Sequence, residues 1–138
     1  MSVSQELEKL AKRHKGILRP EDVVSFASNP KTALHKKFVW DDTDAARLWR
    51  LHQARNIIRV SVTMIHVDSE PVKVGAYYSF QDDRSKKGGG YRRIVDVLSS
   101  EDQTAIMLEE ALEELRVFKR KYAALKQLKE VFKAIDSV

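Results

Sequence analysis

Cysteine is absent from the sequence, and no apolar run is longer than a few residues. Without thiols the chain can form neither a disulfide nor a thiolate metal site, which fits a reducing compartment. The short apolar runs predict no membrane-spanning helix. The first 15 residues alternate charge with leucine and do not form the apolar core of a signal peptide. We therefore expect a cytoplasmic protein that makes no membrane contact.

Proline and glycine are also scarce, and neither occurs after Ser99. Residues 99–138 instead carry an apolar side chain every three or four positions, which predicts one long helix of ~54 Å. We expect part of this stripe to cover the chain's own core and the rest to form a homodimer or larger assembly resembling a coiled coil. The alternative is a helix that folds back near residues 123–124. The expected oligomerisation residues are Leu108, Leu112, Leu115, Phe118, Tyr122, Leu125 and Phe132.

Residues 1–98 are expected to form a separate helical and β-stranded domain. Helical periodicity predicts short helices at 4–15, 20–28 and 44–58, with Ser4 capping the first and an Asp or Thr43 capping the third. From Val60 the period changes to two, which predicts a β-hairpin followed by a third strand at 91–98. The fold class is thus α+β: three short helices, a three-stranded antiparallel meander and a long C-terminal helix. The order of the elements resembles a winged helix-turn-helix.

Basic side chains concentrate in two places of this first domain. The net charge of +5 and the pI near 9.5 favour an acidic partner, nucleic acid being the commonest. Arginines recur along the third helix, and lysines and arginines surround the loop that contains three consecutive glycines. Aspartates border both regions and count against strong phosphate binding. The candidate nucleic-acid-binding residues are Arg47, Arg50, Arg55, Arg59, Arg84, Lys86, Lys87, Tyr91, Arg92 and Arg93.

A further set of segments can be compared with known sequences as a group: 16–24, 33–35, 38–42 with 45–46, 50–55, 57–59, 89–92, 95–98 and 121–122. Together they resemble a family of small, poorly characterised proteins encoded by tailed phages and prophages. The resemblance covers most of the chain and implies a viral accessory protein that works in the cytoplasm of a bacterial host. It implies no catalytic residue, because the family has no settled activity.

No motif of an enzyme is present. The three glycines at 88–90 are not followed by the Lys-Ser/Thr pair of a phosphate-binding loop. His35 could join Asp41, Asp42 and Asp44 around a metal, but helix capping explains these acids better. No serine lies in the setting of a nucleophile elbow. We therefore expect no catalytic residue, no metal and no cofactor.

The most economical hypothesis is a non-enzymatic DNA-binding protein of phage type that assembles through its C-terminal helix. One alternative is a protein-interaction module, an adaptor or inhibitor of a host factor. Such a module would use the aromatic connector at 38–40 and the exposed part of the long helix. A second alternative is a structural or packaging accessory whose assembly is its function.

Overall fold

A computed structural model describes residues 1–41 and 43–138 and has an α+β fold made of two compact units, Met1–Val97 and Leu98–Val138. The chain begins with α1 (Val3–Arg13), β1 (Ile17–Leu18), α2 (Pro20–Ala27), a 3₁₀ turn (Leu34–Lys37) and α3 (Asp44–Val60). It continues with β2 (Val62–Val67), β3 (Glu70–Gly75), β4 (Tyr77–Tyr78), α4 (Gln81–Arg84), β5 (Tyr91–Arg93) and α5 (Ile94–Leu98). The second unit contains α6 (Glu101–Tyr122), a 3₁₀ turn (Lys126–Leu128) and α7 (Lys129–Asp136).

Side-chain caps define where the longer helices begin. Ser2 and Gln5 form a reciprocal capping box at the start of α1, so the expectation that Ser4 is the cap is wrong. Thr43 accepts a hydrogen bond from the backbone amide of Ala46, and Ser100 accepts one from that of Gln103. The predicted cap and start of α3 are therefore confirmed, and α6 begins inside the predicted range 99–138.

The core of the first unit joins α1, β1, α2, the first 3₁₀ turn and α3. Its completely buried side chains come from all five elements, since each element presents one apolar face to the others. Partly buried Tyr77 and Tyr91 pack against it. The core residues are Leu7, Leu10, Ala11, Leu18, Val23, Ala27, Leu34, Phe38, Ala54 and Ile58.

The strands form two sheets, so the three-stranded meander is wrong. β2 and β3 pair alone as the predicted hairpin, closed by Asp68 and Ser69, whose φ angles of 51° and 69° suit a tight two-residue turn. β5 instead lies between β1 and β4. The segment predicted as a third strand turns helical at Ile94, because Ile94 and Val97 are buried at a helical spacing of three. The winged helix-turn-helix is not confirmed.

The second unit does not contain the continuous rod that the apolar period predicts. Leu125 adopts extended backbone angles, φ −83° and ψ 103°, and the chain then turns back. Phe132 of α7 packs on Phe118 of α6 with 6.4 Å between ring centroids, and Lys119 forms an ion pair with Asp136. The fold-back alternative is the one that the structure has. Within the described residues, no helix combines the length and apolarity needed to cross a bilayer.

Candidate functional site

Arg50, expected on an exposed face of α3, is buried, so this placement is wrong. Its Nη1 donates hydrogen bonds to the backbone oxygens of Val39 at 3.0 Å and Asp41 at 2.8 Å. The guanidinium also lies over the Trp40 ring, 5.2 Å from its centroid. The physical reason is that the buried face of α3 runs through Arg50, Ala54 and Ile58, at spacings of four. Arg50 thus orders the connector before α3.

Two more of the predicted cations, Arg92 and Arg93, form ion pairs with acidic side chains. Arg92 forms a two-pronged ion pair with buried Asp83, Nε to Oδ2 at 2.7 Å and Nη2 to Oδ1 at 3.1 Å. This hydrogen bonding raises the pKa of the Arg92 guanidinium above its ordinary value. Arg93 binds Glu8 and Asp96, and the Glu8 hydrogen bond raises the Arg93 pKa in the same way.

Arg47 is exposed but forms an ion pair with Asp44, one turn earlier on α3. Tyr91 is partly buried against the core. The Arg47 guanidinium is therefore paired with an acid, and part of the Tyr91 side chain is covered by the core. The candidates that remain exposed, and make no ion pair with a described residue, are Arg55, Arg59, Arg84, Lys86 and Lys87.

The connector between α2 and α3 is held by a residue that the sequence analysis missed. The carboxylate of buried Glu6 accepts hydrogen bonds from the backbone amides of Ala33 at 2.9 Å and Leu34 at 2.8 Å. The signal for this role is an acid on the apolar face of α1, four positions before Leu10. A buried carboxylate at such a position needs a fixed set of hydrogen-bond donors.

His35 and Trp40 complete the ordered connector. The two rings stack with centroids 4.9 Å apart, and Trp40 Nε1 donates to the backbone oxygen of His35 at 2.9 Å. His35 Nδ1 lies 2.8 Å from the backbone oxygen of Ala27. These contacts give His35 a structural role. Among the residues described, no three His, Asp or Glu side chains are grouped closely enough to hold a metal ion.

The outward face of α3 combines large apolar side chains with cations. Leu48 is 69% exposed and Trp49 is 51% exposed. The Trp49 ring stacks on the His52 ring at 5.2 Å, and exposed Arg55 and Arg59 continue the same face toward the helix end. The sequence analysis did not single out Leu48 or Trp49. The available signal was the adjacent pair of large apolar residues on the predicted helix.

A groove of about 560 Å³ opens beside α1, β2 and β4 within the first unit. Glu8, Tyr77 and Arg93 lie on its wall, and Glu8 and Arg93 neutralise each other. Burial raises the pKa of the Tyr77 phenol to about 12; the charge of Glu8 adds to this shift and that of Arg93 opposes it. Because its strongest charges are paired with each other, this groove offers a ligand less than the α3 face does.

The comparisons with known proteins add no relative to these observations. No protein-family model matches the chain, no curated protein matches it, and no solved structure matches it.

Proposed function

We propose that this protein is a non-enzymatic interaction module whose α3 outward face docks onto another protein. The partner surface has an apolar centre for Leu48 and Trp49 and carboxylates for Arg55 and Arg59. In keeping with the resemblance to phage proteins, the partner is a host factor or another phage component in the bacterial cytoplasm. The single observation that carries the proposal is the exposure of Leu48 and Trp49 in line with the two arginines.

Residue chemistry supports a protein partner for this face. Tryptophan and arginine are the side chains most enriched among those that dominate binding energies at protein interfaces. A Leu and a Trp that remain exposed gain hydrophobic free energy only when a partner covers them. The first unit carries 18 Lys and Arg against 12 Asp and Glu, so its net charge of +6 favours an acidic partner.

The same face is less suited to duplex DNA. A DNA backbone presents phosphates, which offer no apolar surface for an exposed leucine and tryptophan. The sequence hypothesis also counted on Arg50, Arg92 and Arg93, which are engaged with backbone oxygens or carboxylates. Because these three arginines already have partners, fewer cations remain to neutralise DNA phosphates.

DNA binding nevertheless remains a second candidate, because the excess positive charge lies in the first unit and five exposed cations make no ion pair with described residues. In this alternative, Arg55 and Arg59 of α3 contact phosphates together with the loop after α4. The loop contributes Arg84, Lys86 and Lys87.

The proposed docking is tested with a photocrosslinking amino acid at position 49 and, as a control, at exposed position 31. In a bacterial lysate, we expect a defined crosslinked protein from position 49 only. Excess wild-type protein, added as a competitor, should abolish this product. The same excess of the Leu48→Ala/Trp49→Ala variant should not. The matched competitor Met64→Ala/Val67→Ala, which removes exposed apolar groups from the β2–β3 hairpin, should compete like wild type. The purified partner should then bind the α3 variant at least about tenfold more weakly.

Fluorescence anisotropy with a short labelled duplex decides between the two candidates. We expect that substitutions on α3 do not change the binding of the duplex at low salt. If Arg55→Ala/Arg59→Ala and Lys86→Ala/Lys87→Ala each weaken duplex binding, and Leu48→Ala/Trp49→Ala does not, the DNA candidate replaces the protein candidate. Its affinity should then fall with salt at a log–log slope of about 0.9 per phosphate contacted.

A further inference from the structure

The second unit separates its charges along the chain. Residues 101–114 contain six acidic side chains and no basic one, whereas residues 115–138 contain seven basic and two acidic ones. The net charges are therefore −6 and +5. This separation suits the dipole of α6. It also makes the acidic half of one copy complementary in charge to the basic half of a second copy.

An apolar stripe of α6 remains exposed along this charge gradient. No residue of α6 is fully buried; Leu108 is 56% exposed, and Leu115 and Phe118 are each 38% exposed. α7 packs against the last turns, where Phe132 contacts Phe118 and Asp136 pairs with Lys119, and leaves Leu108 and Leu115 accessible. A unit of only 41 residues with so little buried apolar surface gains stability when a partner covers the stripe.

We propose that two copies of this chain pair through α6 in antiparallel orientation, about a two-fold axis near Leu115. This inference does not depend on what α3 binds. In a parallel pair, the segment of charge −6 would lie beside its own copy. In the antiparallel pair, it lies beside the +5 segment of the other chain, so charge selects the orientation while the stripe supplies the buried surface.

The register follows from the apolar stripe. Leu108 and Tyr122 lie seven residues on either side of Leu115 along the same side of α6, so a two-fold axis at Leu115 places Leu108 of one copy beside Tyr122 of the other. Glu113 and Arg120 lie on the opposite side of α6. There Glu113 forms ion pairs with Arg116 at 3.2 Å and with Arg120 at 3.7 Å, and these pairs stay exposed to solvent in the dimer.

Substitution of the apolar stripe tests the interface in the full-length chain. We expect a dimer by sedimentation equilibrium in the ~1 to ~100 µM range. Leu115→Lys should weaken self-association at least about tenfold, because it places an unpaired charge in the buried stripe. Ile106→Lys, an exposed apolar residue on the opposite side of α6 from Leu115, is the matched control and should leave self-association unchanged.

Disulfide trapping tests the orientation of the two helices. Because the chain has no native cysteine, only the introduced cysteines can form a disulfide. Two copies of position 108 lie about 21 Å apart in the antiparallel pair, too far for a disulfide. Leu108→Cys alone should therefore not crosslink, whereas an equimolar mixture with Tyr122→Cys should. A monomeric wild type over the whole concentration range would overturn the proposal, as would efficient crosslinking of Leu108→Cys with itself. Either failure leaves the docking role of α3 open to its own test.

Discussion

The carboxylate of Glu6 and the backbone amide of Leu34 are 2.8 Å apart, although 28 positions separate them in the sequence. Glu6 also accepts from the amide of Ala33, so a single side chain of α1 satisfies two amides at the start of the first 3₁₀ turn. This turn leads into the connector that holds Trp40 against Arg50. The shape of the surface before α3 therefore depends on a residue far from it in sequence.

Replacing Glu6 with Gln should destabilise the fold by about 1–3 kcal/mol, because an amide group offers one acceptor oxygen where two buried amides need one each. Chemical denaturation followed by circular dichroism measures the change. Glu70→Gln, on the exposed β2–β3 hairpin, is the control and should stay within about 0.5 kcal/mol of wild type. Equal effects of the two substitutions would contradict the structural role of Glu6.

Replacing Arg50 with Lys should cost roughly 2 kcal/mol, since a lysine cannot donate to both carbonyl oxygens from a flat group that stacks on Trp40. In a Trp49→Phe background, where Trp40 is the remaining tryptophan, its fluorescence should shift to the red as the ring becomes more hydrated. Arg47→Lys, on the exposed side of the same helix, is the control and should change neither stability nor fluorescence. An unchanged spectrum in the Arg50 variant would argue against this contact.

Tyr77 should ionise well above the ordinary tyrosine value of 10, because burial raises the pKa of its phenol to about 12. A raised pKa in the folded state means that folding favours the protonated phenol. Its stabilising contribution is therefore complete below the ordinary value of 10 and is lost as the pH rises from 10 toward 12. Absorbance titration at 295 nm should lose the step near pH 12 in Tyr77→Phe and keep it in Tyr122→Phe. The Tyr77 variant should also lose less stability over this pH range.

Replacing Ser69 with Gly should stabilise the β2–β3 hairpin by about 0.5–1 kcal/mol, because Ser69 has a left-handed φ of 69° that glycine adopts without strain. Amide hydrogen exchange of the strand residues reports the effect directly. Thr63→Gly, within strand β2, should have the opposite effect and is the matched control. Faster exchange in the Ser69 variant would contradict the turn geometry.

Much of the local architecture could be predicted from the sequence, and the reason is that its causes are local. The proline at the start of α2, the caps Thr43 and Ser100, and the alternation of β2 and β3 act within a few residues. For the candidate site, periodicity placed Arg55 and Arg59 on one helix but could not say which side of α3 faces the core. Arg50, which was expected to bind nucleic acid from this helix, lies on its buried side.

By itself, the sequence determined an α+β chain, the starts of its main helices and the charge separation of residues 101–138, since composition and short-range periodicity suffice for these. Only the tertiary structure decided that β5 pairs with β1 and β4, that α7 turns back onto α6, and that Leu48 and Trp49 face outward. Those outcomes depend on contacts between distant residues. Packing of Phe132 on Phe118 favours a break where propensity favours a continuous helix, and the acceptors of Arg50 lie on a different segment from α3.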